Sequence, residues 1–339
     1  MNSLRFAAGW RRGRGREQGD DPTRLVRWSP SVTLVPTRSC FNACAYCGFR
    51  REPSATNDLS LAAAERSLRQ RPASTEVLLL SGEVAPGSPE RARWLARLLA
   101  FSGLALALGR LPHTNAGPLS RREMAALARL NPSLGLMLEG LGPAYERLHR
   151  AAPSKRLALR LGQLEQAGRL GVPFTTGLLL GVGESRSDRL RALELLAELQ
   201  RQWGHLQEVI LQPWRPDGAG ARPLSTAEQH DLLELIEAAR RILPAQVALQ
   251  LPPNLWPLES LPLALEAGIN DLGGIDSHDV INAAYPQPSP RELAARLERA
   301  GWSLRPRLCV HDRFIPWLPP DLRRRSTALQ SQLLASGLA

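Results

Sequence analysis

The chain has 339 residues, 43% of them hydrophobic, which is enough for a sizeable core and within the range of a single α/β barrel. Its net charge is +11; part of the excess sits in residues 1–28, and the rest is spread thinly, without a basic block or interleaved aromatics, which argues against a nucleic-acid interface. No apolar run reaches the roughly eighteen residues of a membrane helix, and no secretion signal opens the chain, so a cytoplasmic protein is expected.

Residues 1–28 hold seven arginines, Arg11, Arg12, Arg14 and Arg16 among them, against Glu17, Asp20 and Asp21. Without apolar periodicity, this segment reads as a disordered arm. Its Arg-rich start also has the look of a transit peptide, against which the Asp20-Asp21 pair argues. Arginine is used almost everywhere: of 43 cationic residues only Lys155 is a lysine.

After the arm, apolar β-rich runs alternate with amphipathic stretches. Strands are predicted at 31–36, 76–81, 103–108, 134–139, 174–180, 207–212, 246–251 and 270–275. Helices are predicted at 60–70, 89–101, 120–129, 155–169, 187–202, 225–242, 258–267 and 290–300. Ser120 followed by Glu123, and Ser225 followed by Glu228, mark helix starts, since each pair can satisfy two orphan N–H groups. Eight strand–helix pairs in strict alternation predict parallel strands closed into a (β/α)8 TIM-type barrel over 29–301; an open doubly wound sheet is the alternative. Residues 302–339 are predicted to pack on the barrel as a C-terminal extension.

In such a barrel the residues past the C-terminal strand ends share one mouth, where chemistry occurs. Cys40, Cys44 and Cys47 are predicted to follow strand one, Ser81-Gly82-Glu83 strand two, and His113 and Asn115 strand three. Glu139 ends strand four, Gly181 to Glu184 strand five, and Gln212 strand six.

The cysteines have the spacing C-x3-C-x2-C, which suits metal or redox chemistry in a reducing compartment. Three thiolates from one short loop can hold three irons of a [4Fe–4S] cubane and leave the fourth open. S-adenosylmethionine (SAM) can chelate that iron, and an electron from the cluster then cleaves the sulfonium. A structural zinc site would need a fourth ligand from far away, such as Cys309 or His311. Three unrelated buried thiols are the other plain alternative, and Cys309 itself reads as a packed core thiol.

With Tyr46 as the aromatic before the last cysteine, the loop resembles the CxxxCxΦC signature of the radical SAM superfamily. That resemblance implies a [4Fe–4S] cluster on Cys40, Cys44 and Cys47, and SAM held beside it. It also implies that Gly82 and Glu83 receive the SAM amino group and that Glu139 accepts from a ribose. Arg160 would pair with the SAM carboxylate, and Leu179 and Gly181, in Gly177-x-Leu179-x-Gly181-x-x-Glu184, would pack on adenine.

Leu111 to Gly117, Ser133 to Glu139, Pro173 to Gly177, Gln207 to Gln212 and Asn270 to Ile275 resemble one family within it, the ring-closing subunit of 7,8-didemethyl-8-hydroxy-5-deazariboflavin (FO) synthase. This implies a substrate that a partner radical SAM enzyme makes by joining tyrosine to a ribityl-aminouracil, and an electron donor such as flavodoxin or ferredoxin. His113, Asn115, Thr176, Gln212 and Arg215 are the implied substrate contacts. Trp214-Arg215-Pro216-Asp217 departs from the family's usual Phe-Arg-Pro-Lys. The rivals are the partner subunit, a menaquinone-pathway relative and, in a different class, an iron–sulfur electron carrier.

Overall fold

The computed structural model describes residues 24–335 other than 55, 57 and 217. Most of the predicted arm lies outside the described residues, but its last five do not. The first strand, β1, is Leu25–Leu34, with Val26 and Trp28 buried. The sequence reading placed the barrel's start at 29 because the arginines at 24 and 27 obscure the strand; Arg27 in fact donates its N–H to Asn270 O at 3.1 Å.

Helices and strands then alternate: α1 (Leu61–Arg69), β2 (Glu76–Leu80), α2 (Arg91–Ala107), β3 (Leu111–Asn115), α3 (Arg121–Ala128) and β4 (Ser133–Gly135). They continue with α4 (Pro143–Leu148), α5 (Leu157–Arg169), β5 (Phe174–Leu180), α6 (Arg186–Trp203) and β6 (Leu206–Pro213). The chain ends in α7 (Thr226–Ile242), β7 (Ala248–Gln250), α8 (Leu261–Ala267), β8 (Asp271–Ile275), α9 (Pro290–Arg299), β9 (Ser303–Pro306) and α10 (Pro320–Ala335). The strands from β1 to β8 pair in parallel in sequence order, and β1 meets both β2 and β8, so the sheet closes into a (β/α)8 barrel. One extra strand, β9, pairs with the lower part of β1, Leu25 against Ser303. Both serine-marked helix starts are capping boxes.

Strand three is not at 103–108. Those residues finish α2, whose buried Trp94, Leu98, Phe101 and Ala105 follow the helical period into the Leu-Ala run. Leucine and alanine are strong helix formers, so the run extends the helix. The strand is Leu-Pro-His-Thr-Asn at 111–115, which Pro112 disguises, since proline in a central strand removes a ladder donor. Leu111 donates to Thr75 on the β2 side at 2.9 Å, so Pro112 faces the other side, below the point where β4 begins opposite His113. His113 and Asn115 therefore lie within the strand and not after it.

The base of the barrel is plugged by residues 307–311. Arg307 donates its N–H to Trp28 O at 2.7 Å, and Cys309 O accepts from Ser133 Oγ and Gln207 Nε2, each at 2.9 Å. Beyond the plug, Leu308, Phe314, Leu318 and Leu322 form a second apolar cluster with Leu111. In the floor, Arg307 bonds Asp271 at 2.6 and 2.7 Å and Glu208 at 2.5 Å, and His311 Nε2 meets Glu208 at 2.6 Å.

Glu76 is buried in the same floor, and burial pushes its carboxyl from about 4.5 up to about 7. Below 4.5 the folded and unfolded chains both hold this proton; between there and about 7 only the folded chain does. Stability therefore falls as pH rises through that window, by up to roughly 1.4 kcal/mol per unit and roughly 3 kcal/mol in all. Glu76→Gln is expected to remove this slope, read as the difference between the urea unfolding free energies of variant and wild type at pH 4.5 and 7.5. An unchanged difference would place the proton elsewhere.

Candidate active site

The cysteine loop leaves β1 at the C-terminal mouth and is tied down by its own backbone. Phe41 donates to Glu83 O at 3.0 Å, Ala43 to Ala151 O at 2.7 Å and Ala45 to Leu148 O at 3.1 Å. Gly82 sits so close beneath the loop that a Cβ there would lie 2.0 Å from Ser39 O, so only glycine lets the end of β2 approach. Cys40, Cys44 and Cys47 are free, half-buried thiols that line one cavity. Burial pushes Cys44 up to about 12 against the opposing charge of Lys155, and burial raises Cys40 too. These two therefore carry protons in the metal-free chain, and cluster assembly displaces them.

Two carboxylates face the same cavity. Glu83 accepts from Arg160 Nη2 and Asn42 Nδ2, each at 3.0 Å, and from the Ser154 hydroxyl. Arg160 is 1% exposed, and its other nitrogens bond Ser154 O and Met137 O. Glu139 accepts from the Tyr46 hydroxyl at 2.9 Å and from the Lys155 ammonium. Burial alone would raise Glu139, but the Lys155 and Arg160 charges outweigh it and hold the carboxyl below its usual range. Burial also keeps Tyr46 protonated, as a donor to Glu139 must be. Glu139 has φ 73°, the one positive value outside glycine among the described residues. Its backbone there bonds Gly177 O at 3.0 Å and Leu179 N at 2.8 Å, so β5 holds it in this conformation.

Below the cysteines the cavity opens into the barrel lumen, a space of about 330 Å³. Tyr46, Cys47, Met137 and Glu139 line both parts, which makes them continuous. His113, Asn115, Gln212 and Leu179 line the lumen. Thr176 does not: it is fully buried on the outer face of β5, where its hydroxyl accepts from Leu138 N at 3.2 Å, and Thr175 faces the lumen instead. Arg215 is also turned away, bonded to Leu255 O at 3.0 Å and stacked 4.6 Å from the Tyr285 ring. Gly181 lines a separate cleft beside Trp214 and Arg215, its N–H bonded to Glu184 at 2.8 Å.

Lys155, Asn42 and Ser154 belong to the site and were not singled out for it from sequence. The rarity of lysine in this chain was the available signal for the first; the others carried none.

The donor set fits a cubane cluster: three thiols from one pinned loop converge on one cavity, and none is tied up in a disulfide. Cys309 and His311, the distant candidates for a fourth zinc ligand, lie in the floor at the other end of the barrel. No described helix is long and apolar enough to cross a membrane.

A model of the radical SAM superfamily matches residues 34–196. The 7,8-didemethyl-8-hydroxy-5-deazariboflavin synthase of Synechococcus elongatus is 50% identical over 309 residues, covering 90% of this chain and 92% of that protein. The synthase of the same name from Thermosynechococcus vestitus is 48% identical over 306 residues, covering 89% and 97%. Among solved structures, the FeFe-hydrogenase maturase HydG from Carboxydothermus hydrogenoformans superposes with a TM-score of 0.68 at 20% identity, covering 93% of this chain and 79% of that one, a likeness of fold. Identity near one half along nine tenths of the sequence, on a barrel with this cysteine loop, means that the chain is an enzyme of the radical SAM superfamily, whose members use a [4Fe–4S] cluster and SAM, and belongs within it to the 7,8-didemethyl-8-hydroxy-5-deazariboflavin synthase family.

Proposed function

We propose that this enzyme closes the deazaflavin ring, converting 5-amino-5-(4-hydroxybenzyl)-6-(D-ribitylimino)-5,6-dihydrouracil to FO with release of ammonia, 5′-deoxyadenosine and methionine. The observation that carries this reading is the lumen itself: a cavity with apolar walls and a polar floor, plugged at its base, that opens directly under the cysteine loop. A bulky, hydroxyl-rich substrate fits below a radical source there, away from solvent.

Cys40, Cys44 and Cys47 would hold the cluster, and Glu83 and Glu139 would take the SAM amino and ribose groups. With SAM bound, the cluster supplies a 5′-deoxyadenosyl radical, and the protein's part is to orient substrate and exclude water. Arg160 acts through Glu83: it is buried behind that carboxylate, and its bonds fix the carboxylate's direction. Lys155 does the same for Glu139, keeping it ionised as an acceptor for ribose hydroxyls. Tyr46 closes that pair from the cysteine side, and Leu179 supplies apolar surface to the cavity wall. Asn115 and Gln212, which line the lumen, would bond the uracil edge. The radical SAM enzyme that joins tyrosine to the ribityl-aminouracil would supply the substrate, and a flavodoxin or ferredoxin the electron.

The test is product formation. Reduced, cluster-loaded enzyme given SAM and the adduct is expected to form fluorescent FO with stoichiometric 5′-deoxyadenosine, whereas tyrosine plus ribityl-aminouracil gives no adduct. Formation of the adduct from tyrosine by this chain alone would assign it to the other half of the pair.

A further inference from the structure

The lumen has two bands. Strand residues two apart face the same side, so β2 presents Glu76, then Leu78 and Leu80, and β6 presents Glu208, then Ile210 and Gln212. With Met137, the upper band is largely apolar; the floor holds Glu76, His113, Thr175, Glu208 and Arg307.

Hydrogen-bond counting fixes what the floor offers. The Ser133 hydroxyl donates its one hydrogen to Cys309 O at 2.9 Å, so in its 2.7 Å contact with His113 Nδ1 the imidazole must be the donor. Burial drives His113 down to about 4, so the ring is neutral and carries that single proton. Nε2 is left as a bare acceptor: His113 is more than nine-tenths buried, lines the lumen, and has no donor on Nε2 among the described residues. Gly135 keeps the space open, because a Cβ there would lie 2.8 Å from Nε2.

The carboxyls add to this. Glu208 and Asp271 share Arg307, while Glu76 has no cation within 4 Å among the described residues. Ligand atoms of Glu208, Asp271 and His311 lie within 4.8 Å of one another, but the Arg307 guanidinium already bonds both carboxylates and takes the place of a metal ion. The floor thus offers acceptors, and Glu208 and Asp271 together exceed the one guanidinium they share by one negative charge. It suits a neutral group rich in O–H donors and repels a phosphate.

We infer that the floor of the lumen is the subsite for the substrate's polyol chain, with His113, Glu76 and Glu208 accepting its hydroxyl hydrogens, and that it selects the unphosphorylated chain. This rests on the ring-closing reading above, and it orients the substrate with its ring system against the apolar band, towards the cysteine loop.

Three adducts test it: one with the ribityl chain, one with an unsubstituted alkyl chain, and one with the ribityl 5′-phosphate. His113→Phe and Glu76→Gln are each expected to raise KM for the ribityl adduct roughly tenfold more than for the alkyl adduct. Wild type is expected to bind the phosphate adduct at least roughly tenfold more weakly than the ribityl adduct in calorimetry. Equal effects of the variants on ribityl and alkyl adducts, or equal affinity for the phosphate, would overturn the subsite. A wild type that cleaves SAM but converts no adduct would refute the ring-closing reading instead. Calorimetric preference for the ribityl over the alkyl adduct then decides the subsite by itself, its presence upholding the assignment and its absence ending it.

Discussion

Cys40→Ala, Cys44→Ala and Cys47→Ala are each expected to abolish 5′-deoxyadenosine formation and to lower cluster iron after anaerobic reconstitution. Cys309→Ala is expected to keep both. A cubane with one open iron needs three protein thiolates, and the pinned loop has no spare one. Cys309 lies in the floor, where Ser133 and Gln207 bond its carbonyl, far along the lumen from the loop. Its buried thiol is held well above the ordinary range by burial and stays protonated. Wild-type SAM cleavage in any one of the three loop variants, measured with dithionite as reductant, would remove the cluster from this site.

Arg307→Met is expected to produce the largest loss of stability, about 3–5 kcal/mol in chemical unfolding. The guanidinium is the cation shared by Asp271 and Glu208, both almost wholly buried, and its removal leaves two carboxylates facing each other without a counter-charge. Those carboxyls would then bind protons in the folded chain that the unfolded chain has already released. Stability of the variant should therefore fall further as pH rises from 5 to 8, and acid should partly rescue it. A loss below about 1 kcal/mol at pH 8 would mean that water or rearrangement replaces the guanidinium.

The barrel was legible from sequence because it is written in local periods: continuous apolar strands, helical faces and serine caps each need only a short window. The cysteine loop was legible for the same reason, its ligands lying eight residues from end to end. Strand three was misplaced because a continuous Leu-Ala run also suits a buried strand, and its helical propensity decides only together with the packing of Phe101 and Ala105. Thr176 was chosen over Thr175 because nothing local says which of two neighbours on a strand faces inward. Apart from His113, the floor could not be read. Glu76, Glu208, Asp271 and Arg307 come from four distant segments, and each looks like an ordinary charge until the sheet closes and residues 307–311 cross beneath it.

Lys155 has a practical consequence. It is the only internal residue of the chain with a primary amine on its side chain, and that amine is bonded to Glu139 in the wall of the site with 13% of the side chain exposed. Apart from the α-amino group at the chain's start, an amine-directed label, or a protease that cuts after lysine, addresses this single wall. Its rate of acylation measures how often the Glu139 pair opens. Slower labelling on addition of SAM would then titrate cofactor occupancy in an enzyme that is not turning over.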